Sequence, residues 1–278
     1  MKHYVRLTAL AVVLLGTVVP AWAGSIFLTG HDPDFHAAVG FFNPVGAQHI
    51  NQVAIGFVTD PLFNPFALTA PKFLFVESSI SPPGGHVVGK TGIVASGYTE
   101  GTHFDHADAS TLGAALDELG TTYDALVIAS DFGGILTQPE LDILNARKGD
   151  IIDFLNAGGG LYAMAEGNGG AGLTPGGGWY GYLPFVASST QFDEFEVDNT
   201  LTAFGASLGL TLSDINGNFS HTIFTGIGPL DVVDFNAAGD ILSAAGRPTT
   251  IPPVPEPTTA ATLGAALVAT VLVRRKRR

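Results

Sequence analysis

The chain has 278 residues, 46% of them hydrophobic, with 36 glycines and no cysteine. This excludes disulfides, thiolate metal sites and a cysteine nucleophile, and it leaves enough apolar material for one sizeable core. Net charge is −13, and between residues 24 and 254 there are 24 Asp and Glu against five Lys and Arg, so nucleic acid and anionic lipid are excluded as partners of that segment. Such a surface suits divalent cations, basic partners or solubility outside a cell.

Residues 1–23 read as a signal peptide. Lys2 and Arg6 form a positive start, 7–19 an apolar run, and Ala21-Trp22-Ala23 a small-x-small cleavage site after the helix breaker Pro20. Export through the secretion translocon and cutting by signal peptidase follow as expectations. The remaining 24–247 make one domain. Its first strand is expected at 25–28, ending at Gly30. At 47–58, Ile50, Val53, Ala54 and Phe57 recur at helical spacing before Asp60-Pro61 stops the helix. A second strand is expected at 72–76. Pro82-Pro83-Gly84-Gly85 then breaks the chain, and no period is assignable up to Tyr98. A helix is expected at 110–119, capped near Asp108 or Ser110, and a third strand at 125–129. Thr137-Gln138-Pro139-Glu140 is a capping box with proline in the first turn. Leu141, Leu144, Ile151, Ile152 and Leu155 follow it, and Gly158 stands where a left-handed C-cap is needed. A fourth strand is expected at 161–165, a glycine-rich loop at 167–178, a helix at 200–208, and extended chain at Ile223 and at Val232-Val233. Strands and helices alternating in this way define an α/β fold with a mostly parallel sheet. Residues 248–257 form a proline-rich, extended linker.

The C-terminus carries three features in order: Pro255-Glu256-Pro257, an apolar run at 258–273, and Arg274-Arg275-Lys276-Arg277-Arg278. A helix through the 16 apolar residues would be ~24 Å long, short of the ~30 Å hydrocarbon core, so it spans only marginally. The five cations hold the end of the chain inside and leave everything before Val254 outside. Together, 254–278 resemble the PEP-CTERM sorting domain of Gram-negative envelope proteins. The resemblance implies that an exosortase recognises Pro255, Glu256 and Pro257 and removes the tail. The protein would be held in the inner membrane transiently by 258–278, then reside in the envelope or outside the cell, in a setting of exopolysaccharide or biofilm.

Tyr123-Asp124-Ala125-Leu126-Val127-Ile128-Ala129, the capped helix, and the Gly158–Gly167 segment resemble the central strand, helix and elbow of class I glutamine amidotransferase-like domains. His221-Thr222-Ile223-Phe224-Thr225-Gly226 is similar to a His-Pro-Ile-x-x-Gly segment of trehalose-utilisation-type members. The resemblance implies a flavodoxin-like, mostly parallel sheet with helices on both faces. In catalytic members a cysteine follows the elbow strand; here that position is Ala165. Alanine cannot act as a nucleophile, and Glu166 beside it reads more readily as a cap or pairing group than as a catalyst. The domain is therefore expected to be catalytically silent, with a binding or structural role.

The chemistry-bearing candidates lie after the first strand. Gly30-His31-Asp32-Pro33-Asp34-Phe35-His36 puts four metal-ligand types at the carboxyl end of a strand, where ligands bind in open α/β sheets. His103, Asp105 and His106 form a second group, expected in a loop. Imidazole and carboxylate suit zinc, manganese or iron, and carboxylates with waters suit calcium. Asp32 and Asp34 equally suit turns and helix caps. Two functions stand side by side: a sorted envelope protein with a silent α/β domain, or a secreted metal-dependent hydrolase using His31, Asp32, Asp34 and His36. His49 and His86 read as surface or partly satisfied residues, and His221 has no partner that can be named. Trp179, Tyr180 and Tyr182 read as a cover for the edge of the core, or else as a platform for stacking sugars.

Overall fold

A computed structural model describes residues 24–39, 42–67, 71–78, 89–132, 135–167, 173–174 and 176–248. The signal-peptide residues Ala21 and Ala23, the Pro255-Glu256-Pro257 motif, the apolar run, the basic end and the Pro82–Gly85 break lie outside the described residues.

The chain is mixed α/β. Strands β1 (Ile26–Thr29), β2 (Phe73–Val76), β3 (Phe104–Ala107), β4 (Ala125–Ile128) and β5 (Gly160–Ala163) run parallel in the spatial order β3-β2-β4-β5-β1. All positions of β1, β2, β4 and β5 are buried, which explains their unbroken apolar character: both faces of this part of the sheet are covered. Successive side chains still alternate. Ile26, Leu28, Leu74, Val76, Leu126 and Ile128 pack under α4 (Leu112–Ala115), α5 (Gln138–Ala146) and α6 (Lys148–Asn156). Phe27, Phe73, Phe75 and Val127 pack on the other face under α2 (Pro44–Val58) and α3 (Gly89–Ala95).

The sheet then continues antiparallel through β10 (Ile241–Gly246), β8 (Phe219–Gly226) and β6 (Ser188–Phe195). A branch adds β9 (Asp231–Phe235) on β10 and β7 (Thr200–Leu201) on β9. This half is only faintly legible in sequence. Residues 200–208, expected as one helix, form β7 and the short α7 (Ala203–Ser207). The loop expected around His103, Asp105 and His106 is strand β3, and the stretch without a period contains α3. The capped helix divides into α5 and α6 at Arg147, whose φ of −95° and ψ of 17° fall outside the helical basin. Arg147 keeps its i,i+4 backbone bonds to Ile143 and Ile151, and its side chain donates to the Gly113 carbonyl of α4 at 2.8 Å and pairs with Asp117 and Asp150.

Gly158 takes φ +101° after α6, and a Cβ there would lie 2.5 Å from Pro65 Cδ, so glycine is required twice over. The segment after β1 folds as one turn of helix, α1 (Pro33–His36), with Pro33 in its first position. β8 crosses the carboxyl end of β1: His31 bridges Ser220, and the amides of His221 and Thr222 reach the Gly30 carbonyl at 2.8 and 3.1 Å. That crossing positions the site.

Candidate functional site

Asp32 precedes α1 and His36 ends it, so one helical turn, an i,i+4 spacing, aligns them. His221 arrives on β8, two residues after Phe219 and on the same face of the strand. His36 Nε2 lies 3.2 Å from Asp32 Oδ1, and His221 Nε2 lies 3.3 Å from Asp32 Oδ2. All three residues are buried. Neither approach has the alignment of a hydrogen bond: both Asp32 oxygens, both His36 ring nitrogens and His221 Nδ1 are buried without one. Asp193 Oδ1 stands 3.4 Å from His221 Nδ1, and the Phe219 ring lies nearly parallel to both imidazoles, at 13° and 9°. Burial pushes the Asp32 carboxyl up, but the charges of His221 and His36 outweigh it and hold the group well below the usual carboxylate range. Burial likewise lowers His221, and Asp32 more than reverses this. Among the described residues, Asp32, His36 and His221 are the group whose ligand atoms converge, all within 4.8 Å of one another.

His31 and Asp34 are turned to other tasks. His31 Nε2 meets Asp234 Oδ2 at 2.8 Å; Nδ1 meets Glu196 Oε1 and, at 3.1 Å, Ser220 Oγ, which itself donates to Glu196 at 3.0 Å. Burial lowers the imidazole pKa, but Glu196 and Asp234 drive it well above its ordinary value. With both ring nitrogens occupied, this residue ties β1 to β8, β9 and the end of β6 and is no metal ligand. Asp34 accepts from Ser130 N at 2.9 Å, from Ser130 Oγ at 2.7 Å and from Phe35 N at 3.0 Å. Burial, then the neighbouring Asp32, raises it to about 7. Glu77, at the end of β2, is raised to about 8 by burial and by Asp34, and accepts the Lys90 amide at 3.1 Å.

The second expected group does not join the first. His103 Nδ1 accepts the Thr99 amide at 3.0 Å; Asp105 pairs with Lys72 Nζ at 2.6 Å and accepts from Tyr123 OH at 3.0 Å; His106 Nε2 donates to the Glu77 carbonyl at 2.9 Å. The strand period sets Asp105 and His106 on opposite faces, and β3 stands four strand spacings, roughly 19 Å, from β1. A single ion shared by the two groups is therefore not what the fold provides.

At the elbow, Ala165 is buried and presents only a methyl group. Glu166 accepts the Tyr180 amide at 2.6 Å and the Tyr182 hydroxyl, and burial raises it to about 8. The carboxyl thus anchors the aromatic segment. Tyr180 and Tyr182 are buried in the core and Trp179 packs against it, so these rings cover the core and form no stacking platform.

Asp193 and Glu196 lie in an acidic run, 193–198, and Asp234 in the Asp231–Phe235 segment, but nothing local marks any of the three as a partner of a histidine. His221 is recognisable only through its similarity to the His-x-Ile-x-x-Gly segment, which names no partner. The chain matches no protein-family model and no curated protein.

Proposed function

We propose that this chain is an exported envelope or extracellular-matrix protein, sorted by an exosortase, whose α/β domain binds or supports rather than hydrolyses. Translocon, signal peptidase and exosortase would act on it in turn, with the inner membrane as a temporary anchor and exopolysaccharide as its setting. The tripartite tail and the signal sequence motivate the sorting, and the buried, committed Glu166 beside Ala165 supports a domain without amidotransferase chemistry.

The tripartite tail carries the reading, and one feature of the fold accommodates it: β1 and β10 pair antiparallel with Ile26 opposite Gly246. Both junctions with the sorting signals therefore leave from the amino edge of the parallel strands, and the Asp32 cluster lies at the carboxyl edge. A domain hung from its C-terminal tail would present that cluster away from the membrane. The finer architecture belongs to the same proposal. A flavodoxin-like sheet has strand order 2-1-3-4-5, and β3-β2-β4-β5-β1 reproduces it when the chain's first strand takes the fifth place.

The test is Glu256→Ala, read by immunodetection of an epitope placed after Arg278 in cells that contain the exosortase. Retention of the epitope in the variant and its loss from the native chain support the proposal. Equal retention in both contradicts it.

A further inference from the structure

We propose that Asp32, His36 and His221 form a mononuclear site for a divalent first-row transition ion such as zinc or iron. This goes beyond the sorting proposal and does not depend on it.

The geometry already has the dimensions of a coordination shell. Metal–ligand bonds of 2.0–2.2 Å in tetrahedral geometry separate neighbouring ligand atoms by roughly 3.3–3.6 Å. The two His–Asp approaches here are 3.2 and 3.3 Å. Each imidazole faces a different oxygen of the one carboxylate, and one ligand atom from each of the three residues lies within 4.8 Å of the other two.

Hydrogen bonding gives the second, independent observation. A buried carboxylate whose two oxygens lack hydrogen bonds, beside an imidazole whose two nitrogens also lack them, is costly unless something satisfies the set. A cation among them would satisfy the Asp32 oxygens and His36 Nε2 together, with His221 Nε2 as its other neighbour. The neighbouring His31 and Asp34 side chains are hydrogen-bonded, although Asp234 Oδ1, beside His31, is not. The unsatisfied atoms concentrate on the three residues that converge.

Surroundings and donor type fix the class of ion. Asp193 Oδ1, 3.4 Å from His221 Nδ1 and not hydrogen-bonded to it, stands where an outer carboxylate would orient a metal-bound imidazole. Phe219, nearly parallel to both rings, holds their planes. Two imidazoles and one carboxylate favour zinc or iron over calcium and magnesium, which take oxygen ligands. Three protein ligands are also the number that leaves a coordination position open for water or another small ligand.

The test uses the purified full-length chain, stripped with a chelator and titrated with zinc against a chromophoric competitor. The expected result is one ion per chain, with a higher melting temperature when zinc is present. His36→Gln and His221→Gln should weaken binding by 100-fold or more. Asp193→Asn, whose side chain is exposed and which threatens folding least, should weaken it by about 10- to 100-fold. His49→Gln, on α2 and paired with Asp214, should bind as the native chain does. Absence of stoichiometric zinc with no change in melting temperature would overturn the proposal. So would equal affinity in the native chain, His36→Gln, His221→Gln and Asp193→Asn.

Discussion

His31 and Asp32 are sequence neighbours that serve different networks, and the difference sets the response of the protein to pH. Glu77 and Glu166, each raised to about 8 from 4.5, bind a proton more tightly in the folded chain than in the unfolded one. Between those values the folded state holds the extra proton, so their contribution to stability falls as pH rises. His31, raised above 6.5, has the same sign: its stabilisation is complete below its unfolded value and is lost as pH rises through the folded one. Asp32 acts oppositely, and its contribution is lost only as pH falls below about 4. The expected outcome is a melting temperature several degrees higher at pH 5 than at pH 8.5, with a shallower slope in Glu166→Gln. Thermal unfolding in matched buffers checks it, and a temperature that rises toward pH 8.5 would contradict the assignment. At this scale the sequence was half legible. The run from His31 to His36 supplies two of the three converging residues, because clustered ligand types after a strand are visible locally. Which residues converge was not, because it depends on β8 crossing β1 through a His31–Ser220 bridge 189 residues apart in the chain.

Elements with local punctuation were readable, and those held by distant pairing were not. The box at Thr137 and Glu140 shows why. Glu140 Oε2 accepts the Thr137 amide at 3.1 Å, and Oε1 reaches outside the helix to the Ala109 amide at 2.9 Å. Replacing Glu140 by alanine strands two amide donors, one of them on a buried residue, and should cost about 2 kcal/mol, more than the ~1 kcal/mol of an ordinary lost cap. Urea unfolding of Glu140→Ala measures this; a loss under about 0.5 kcal/mol would show that the bonds are not formed. By contrast, β6 is mostly exposed and carries mixed polar residues, so neither a two-residue nor a helical period stands out. The β3 segment, Phe-Asp-His-Ala, is four residues at the sheet edge with two polar positions, which read as a loop.

For the whole molecule, the principal consequence is orientation. Arg247, the last residue before the linker, lies over the Phe57 and Phe63 rings at 4.1 and 3.8 Å and bonds to Ser25 Oγ at 3.0 Å and to Asp60 at 3.2 Å. The exit of the chain is thereby fixed beside its entry. Because the chain has no cysteine, single cysteines report position cleanly. In membranes lacking the exosortase, a label at Leu62→Cys, next to the Arg247 clamp, should be quenched more by bilayer-embedded quenchers than one at Val197→Cys, next to Glu196. Equal quenching would contradict the orientation.

Whether the chain is exported and trimmed at both ends is read from the intact mass of the protein recovered from its own envelope, with and without the exosortase. The expected mass is that of a chain that begins at Gly24 in both cases and has lost the residues beyond the Pro255-Glu256-Pro257 region only when the enzyme is present. An uncut chain from Met1 to Arg278, unchanged by the enzyme, would contradict it.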